Sequence, residues 1–280
     1  MNVKVSIERL CDEVGMTRQN FNKGHKKRVR QKVDEDLIRD LVVWERAWQP
    51  RLGGRKLYML LKSEFKAAGI KIGRDRFFDV MRRQGLLLDP LPKAPKTTNS
   101  RHSLPVFSNL LVDMTIDGPD MAWLSDITYI RTDEGFLYLS LITDDWSRKI
   151  VGYNAGDSLE TEGCLNALEL ALKGLGNGAK PVHHSDRGCQ YCSHMYTDKL
   201  REHGLEISMT QELHCYENAK AERVNGILKQ EYALGGCFRT KKQAIKAIEQ
   251  AIYLYNNRRP HAALNYRIPA EVHDKVKQAA

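Results

Sequence analysis

A carboxylate stands inside a run that otherwise reads as a buried strand: Trp123-Leu124-Ser125-Asp126-Ile127-Thr128-Tyr129-Ile130. An acid in such a run is costly unless it is paired or binds a metal. Two more acids fall at comparable places. Asp186 ends the short run Pro181-Val182-His183-His184-Ser185-Asp186. Glu222 stands near the start of a basic helical stretch, Asn218-Ala219-Lys220-Ala221-Glu222-Arg223. A fold that brings Asp126, Asp186 and Glu222 together makes an all-oxygen site for hard divalent cations, Mg²⁺ or Mn²⁺. Two such ions are the apparatus of phosphoryl transfer, so the three acids are expected to be both metal ligands and catalytic residues.

The pattern around them is α/β. Residues 122–131 and 136–143 read as a hairpin about a Thr132–Gly135 turn, and 150–155 as a third strand. A helix over 159–173, a strand over 182–186, a helix over 195–203, a strand over 205–209 and a helix over 219–232 complete the series. That order is the order of a ribonuclease H-like core, a mixed sheet flanked by helices. On the last helix Asn218, Glu222, Asn225 and Lys229 share one face, while Ala221, Val224 and Leu228 share another fit to pack on the sheet. Asp144, in Asp-x-x-Ser-Arg, reads as a turn residue after the hairpin, with a fourth metal ligand as the alternative.

The first third of the chain has a different character. Residues 1–110 carry 24 Lys and Arg against 12 Asp and Glu, whereas residues 111–280 carry 20 against 23. A basic front of this kind is expected to neutralise DNA phosphates. Ile7, Leu10 and Val14, the Gly15-Met16 turn and Thr17 as a cap predict a small helix-turn-helix over 6–24, followed by a basic stretch. A third helix carries Leu37, Leu41, Trp44 and Trp48 on one face and stops at Pro50. A second pair follows, with Leu57, Leu60, Leu61 and Phe65, a turn at Gly69, then Phe77, Phe78 and Met81. Helix pairs with basic second helices suit a major groove, and Arg18, Lys23, Arg74 and Arg76 are the expected DNA contacts. Four prolines (Pro90, Pro92, Pro95, Pro105) mark a linker. The expected organisation is 1–48, a first helix-turn-helix and basic helix; 49–88, a second such module; 89–108, linker; 109–232, catalytic core; and 233–280, a C-terminal helical extension.

Other signals exclude. No run of 18 apolar residues and no apolar secretory segment appears, so the chain is expected to be soluble, cytoplasmic and nucleoid-associated. Cys189 and Cys192 form a Cys-x-x-Cys near His183, His184 and His194, but lack the second pair of a structural zinc site, so no zinc is expected. Single, scattered thiols at Cys11, Cys164, Cys215 and Cys237 fit a reducing compartment.

Ordered motifs carry a resemblance. These are Trp123-Leu-Ser-Asp126-Ile-Thr-Tyr129, Asp144-Asp-Trp-Ser147-Arg148-Lys-Ile-Val-Gly152, His184-Ser-Asp186-Arg-Gly188-Cys-Gln-Tyr191, Asn218-Ala-Lys-Ala-Glu222, Leu228-Lys229-Gln-Glu231 and Tyr255-Asn256-x-x-Arg259-Pro260-His261-x-x-Leu264 with Pro269. Together they resemble the second-reading-frame transposases of bacterial insertion sequences, whose core is similar to retroviral integrase. The resemblance implies metal-dependent strand cleavage at element ends and transfer by the 3′-hydroxyl into target DNA. It implies Asp126, Asp186 and Glu222 as the acids, and Lys229 as a contact to the transposon end, with Asn218 on the same helix face. It also implies double-stranded DNA as partner, a first-frame protein or fusion with it, and a homo-oligomer on DNA. Cys189 and Cys192 depart from the usual Ser or Thr, and Glu217 from the usual Asp. The Tyr253–His261 segment is expected to pack on the core as a C-terminal helix and turn, and DNA contact by Arg258 and Arg259 stays open. Rival readings are a non-catalytic DNA-binding regulator, a ribonuclease H-type nuclease, and a tyrosine recombinase using His184, Arg187 and Tyr216. The last leaves the three acids unexplained.

Overall fold

The computed structural model describes residues 6–89, 104–176, 178–211 and 218–277. Pro90, Pro92 and Pro95 of the expected linker, and Cys215, Tyr216 and Glu217, lie outside these residues. By internal contacts the chain divides into two units, residues 1–47 with 53–88 and residues 48–52 with 89–280.

The first unit is helical. α1 (Ile7–Glu13) begins at Ser6, whose hydroxyl accepts from Arg9 N, and Gly15 turns the chain at φ 64°. Thr17 Oγ1 accepts from Asn20 N at the start of α2 (Arg18–Trp48). The expected second and third helices are thus one helix of 31 residues. The basic stretch between them is made of good helix formers, Gly24 alone being poor, and no proline interrupts before Pro50. An i,i+4 hydrogen bond from Gln31 to Glu35 runs along it. The buried positions are Ile38, Val42 and Glu45, while Leu37, Trp44 and Trp48 of the expected stripe are exposed. The buried stripe is therefore one residue out of register with the expected one, about 100° around the helix.

α3 (Gly54–Leu60) and α4 (Lys62–Ala67) are separated at Leu61, and α5 (Arg74–Arg83) follows Gly69. Gly69 and Gly85 take φ 71° and 65°, the left-handed turn that a helix end needs. Leu57, Leu61 and Phe65 are buried with Phe77, Val80 and Met81, and the Phe65 and Phe77 rings lie 5.7 Å apart.

The second unit carries the sheet. β1 (Ala122–Thr132) and β2 (Gly135–Asp144) form the expected hairpin, and β3 (Ile150–Gly156) pairs antiparallel with β2. α6 (Thr161–Lys173) leads to β4 (Val182–Ser185), parallel to β1. Two short helices, α7 (Cys189–Cys192) and α8 (His194–Glu202), lead to β5 (Ile207–Met209), parallel to β4. α9 (Ala219–Glu231), a two-residue strand β6 (Cys237–Phe238) against β1, α10 (Lys241–Asn257) and α11 (Pro269–Lys277) complete the unit. The strand order β3-β2-β1-β4-β5, with β2 alone reversed among the three central strands, is the ribonuclease H-like arrangement.

Both faces of the sheet are covered, as the apolar runs demand. Ile130, Leu137, Leu139 and Leu141 pack with Val224, Ile227 and Leu228 of α9 and with Ile248, Ala251 and Tyr255 of α10. Trp123 and Ile142 pack on the opposite face with Ala167 and Leu168 of α6 and with Tyr196 and Leu200 of α8. Gly152 lets α6 close on β3: a Cβ there would lie 2.2 Å from Ala167 O. α10 is thus part of the core of this unit. No helix among the described residues is long and apolar enough to cross a membrane.

Candidate active site

Register alone brings two of the acids together. β1 and β4 pair Leu124 with His184 and Ser125 with Ser185, so the next residues on the two strands are Asp126 and Asp186. Strands lie about 4.8 Å apart, and alternation puts Leu124, Asp126 and Ile130 on one face, the face that α9 covers. Asp186 accepts from Gly188 N at 3.0 Å, which fixes its carboxylate where the chain leaves the strand.

α9 supplies the third acid in its first turn. Two amides tie this helix to β1, at Asp126 and at the residue before it. Asn225 Nδ2 donates to Asp126 Oδ2 at 2.8 Å, and Asn218 Nδ2 donates to Ser125 O at 3.2 Å. Burial and the charge of Asp186, with that of Glu222 added, push the Asp126 carboxyl up to about 7 against the Asn225 hydrogen bond. Asp126 therefore feels the charge of both other acids. Their oxygens are not all within 4.8 Å; among the described residues, that closeness is found for Asp120, Asp144 and His273.

The donor set fits divalent cations. Beside the carboxylates, Asn218 Oδ1 and Asn225 Oδ1 are buried without a hydrogen-bond partner among the described residues. Carboxylate and amide oxygens are what hard cations take. Lys229 follows on the same helix face, half-buried, where burial lowers its pKa and the charge of Asp126 opposes that shift.

The opposite side of β1 is stiffened by a neutral network. His183 Nε2 lies 2.7 Å from Ser125 Oγ and 2.8 Å from Tyr196 OH. Burial, and then His184, lower the His183 pKa to about 3, so this ring stays uncharged and structural. His184 Nδ1 meets Ser208 Oγ at 2.8 Å. Cys192 Sγ contacts Met209 Sδ, a packing role.

Asp144 is a turn residue and a clamp. Its oxygens take hydrogen bonds from Asp120 N at 2.8 Å and from Ser147 N at 2.7 Å, and Ser147 Oγ meets His273 Nδ1 at 3.0 Å. Burial alone would raise its pKa, but hydrogen bonds from His273, Ser147 and Asp120 N hold it low. Trp123 Nε1 donates to Asp120 Oδ1, so this group also binds α11 to the start of β1.

The remaining expected site residues divide in two. Arg18, Lys23, Arg74 and Arg76 are all exposed on the helical unit, Arg74 paired with Asp75 at 2.8 Å. Asn218, expected to face DNA, is instead buried and spends its amide N–H on β1. Arg259, left open as a DNA contact, is 2% exposed and gripped by Glu231 through two hydrogen bonds of 2.8 and 3.0 Å. Tyr255 OH donates to Arg148 O, and the Asn256 amide pairs with both the N–H and the carbonyl of Ile150. The Tyr255-Asn256-x-x-Arg259 motif thus fastens α10 to β3 and α9. Sequence reasoning gave Asn225 no task beyond sharing the acids' face. Its place three residues after Glu222 was the available signal.

The raised pKa of Asp126 carries a stability consequence. The unfolded carboxyl titrates near 3.8 and the folded one near 7, so the protonated acid favours the fold below pH 4. That contribution fades as pH rises through 7. Three pKa units amount to about 4 kcal/mol, which partial exposure reduces to about 1–2 kcal/mol. Asp126→Asn is therefore expected to stabilise the metal-free protein by that amount at pH 8 and to be near neutral at pH 4. Urea unfolding at the two pH values is the check, and equal effects at both would refute the assignment.

A ribonuclease H-like sheet with one acid within its central strand, one at the end of the adjacent strand and one on a crossing helix defines the integrase-core class of polynucleotidyl transferases. Residues 117–215 match the family model "Integrase core domain", and residues 203–269 match a second model so described. The chain is 34% identical over 275 residues to an "Insertion element IS600 uncharacterized 31 kDa protein" of Shigella sonnei, covering 97% of this chain and 100% of that one. It is 34% identical over 219 residues to a "Transposase for insertion sequence element IS629", also of Shigella sonnei, covering 78% and 72%. Among solved structures it is similar to the HTLV-2 integrase catalytic core domain in complex with magnesium, at 18% identity, a TM-score of 0.45, and 56% and 97% coverage. The chain belongs to the DDE transposases of insertion sequences. Membership of that class implies a divalent metal.

Proposed function

We propose that this chain cuts DNA strands at the ends of its own element and joins the freed 3′-hydroxyl to target DNA. Asp126, Asp186 and Glu222 would hold Mg²⁺ or Mn²⁺, two ions in all. When bound, the metal supplies Lewis-acid activation of the attacking oxygen and charge stabilisation of the leaving one. The rest is the work of the chain. β1 and β4 hold two acids at one register position, and the Asn225 and Asn218 amides hold α9, and so Glu222, against them. Lys229 sets a positive charge beside the site for the phosphates of the element's end. Water is the first attacker and the 3′-hydroxyl the second, so no covalent protein–DNA link is needed.

The observation that carries this reading is the register of β1 on β4, with Asn225 closing on Asp126. We assign DNA contact to Arg18, Lys23, Arg74 and Arg76, and a tethering role to Asn218. We likewise propose 1–48 and 49–88 as DNA-binding modules, 89–108 as linker, 109–232 as catalytic core and 233–280 as its C-terminal extension. A first-frame protein, free or fused, and further copies of the chain would complete the assembly on DNA, at the nucleoid in the cytoplasm.

The test uses purified protein and duplexes carrying the element's ends. Nicking and joining should need Mg²⁺ or Mn²⁺ and stop with a chelator. Alanine at Arg18, Lys23, Arg74 and Arg76 together should weaken binding and lower the salt slope by about 4. Binding without any nicking would favour the regulator, and preferential cutting of RNA–DNA hybrid the nuclease.

A further inference from the structure

α9 has a second polar edge that the acids do not use. Lys220 and Arg223, one turn apart, line a cavity of 280 Å³ together with Arg148. Arg148 and Lys220 also line a larger cavity of 660 Å³, whose other walls include Trp146 and Arg267. Two cations belong to both, so the cavities are neighbours, and together they make a basic groove beside α9.

The groove is built for a chain of phosphates. Asp145, 3% exposed, pairs with Arg148 and, at 2.8 Å, with Lys220, and so pre-sets both cations at the rim. Arg223 and Arg267 are exposed and neither pairs with Asp145, so four cations face a single carboxylate. Trp146 is half-buried on the wall and offers an indole face of the kind on which bases stack. Leu124 lines the larger cavity and lies two residues before Asp126 on the same face of β1, about 7 Å along the strand. Lys220 lies two residues before Glu222.

We propose that this groove carries the DNA backbone on one flank of the scissile phosphate, with Arg148, Lys220, Arg223 and Arg267 against phosphates and Trp146 against a base. This assignment rests on the reading of the chain as a DNA-cutting enzyme, and adds a second contact surface to it. A lone phosphate would need an enclosed ring of donors; an open, aromatic-walled groove with cations on three segments of the chain suits a polymer.

The experiment pairs two double variants of the full chain. Arg223→Gln/Arg267→Gln removes two exposed cations and leaves the Asp145 pairs intact. Lys242→Gln/Lys246→Gln removes two exposed lysines of α10 that line neither cavity. Binding of a fluorescent duplex carrying the element's end is measured over a salt series. The groove variant should bind about tenfold more weakly at about 0.1 M salt, with a salt slope lower by about 2. The α10 variant should bind like wild type. Trp146→Ala should weaken binding about fivefold or more, and Trp146→Phe should lose the DNA-dependent quenching of tryptophan fluorescence. An unchanged slope in the groove variant, an equal fall in the α10 variant, or a wild-type chain with no DNA affinity would each overturn the proposal. Acid variants that still cut would sink the catalytic reading, and leave this binding comparison standing.

Discussion

Asp126→Asn, Asp186→Asn and Glu222→Gln are each expected to lower cleavage and joining by on the order of 10³-fold or more while DNA affinity stays within a few-fold. The size follows from the chemistry: metal ions contribute several kcal/mol to phosphoryl transfer, and each 1.36 kcal/mol is tenfold in rate. Each replacement keeps the volume of the side chain and removes one anionic ligand. The folds of the variants should survive, because the Asn225 amide has an oxygen partner at position 126 in either case. Single-turnover assays on end-bearing duplexes give the rate, and anisotropy gives the affinity. A variant that retains cleavage takes its residue out of the catalytic set. The same three substitutions in a dead regulator would change nothing. The stability gain expected of Asp126→Asn sharpens the test, since lost activity in a more stable protein is not explained by unfolding.

Arg259→Met is expected to cost about 3 kcal/mol of stability, the lower end of what breaking a buried ion pair costs. Arg259 is 2% exposed and Glu231 13%, so removing the guanidinium leaves a carboxylate with little water. The packing of the guanidinium over the Tyr255 ring, at 5.6 Å, goes with it. Arg259→Met/Glu231→Leu should recover most of the loss, because two apolar groups leave no charge stranded. Glu231 is the last residue of α9, and its carbonyl accepts from Arg51 N, so the damage falls on the helix that carries Glu222 and Lys229. Activity should drop with stability and return in the double variant. If Arg259 touched DNA, the single change would weaken binding at unaltered stability. That result in urea unfolding and anisotropy would overturn the structural role.

The fold of the second unit was legible because its signals are local. Period-two runs gave β1 and β2, and apolar helical stripes gave α6 and α9, with boundaries within a few residues. In the first unit the same reasoning placed the turn at Gly15 and the helix end at Gly85, yet split α2 in two and chose the wrong face. A run of Lys and Arg looks like a loop to a reader of polarity. To the backbone it is helix-permissive, and Trp44 and Trp48 show that apolar side chains alone do not mark a buried face. The packing of the Tyr253–His261 segment on the core was legible, while the task of Arg259 within it was not. Arginine in a basic protein reads as a phosphate contact, and only the Glu231 carboxylate, 28 residues away, shows it to be an anchor.

By itself the sequence determined which carboxylates had to be explained, since an acid amid Trp123, Leu124 and Ile127 has few uses. It also determined the order of elements, and with it the class of core. What only the tertiary structure decided was how those acids meet. The Leu124–His184 register, the two amides of α9 on β1, and the buried ion pair at the far end of that helix are contacts between residues tens to a hundred positions apart. Local propensity says nothing about them. They are fixed by which pairing buries the most apolar surface while leaving few interior polar groups unanswered.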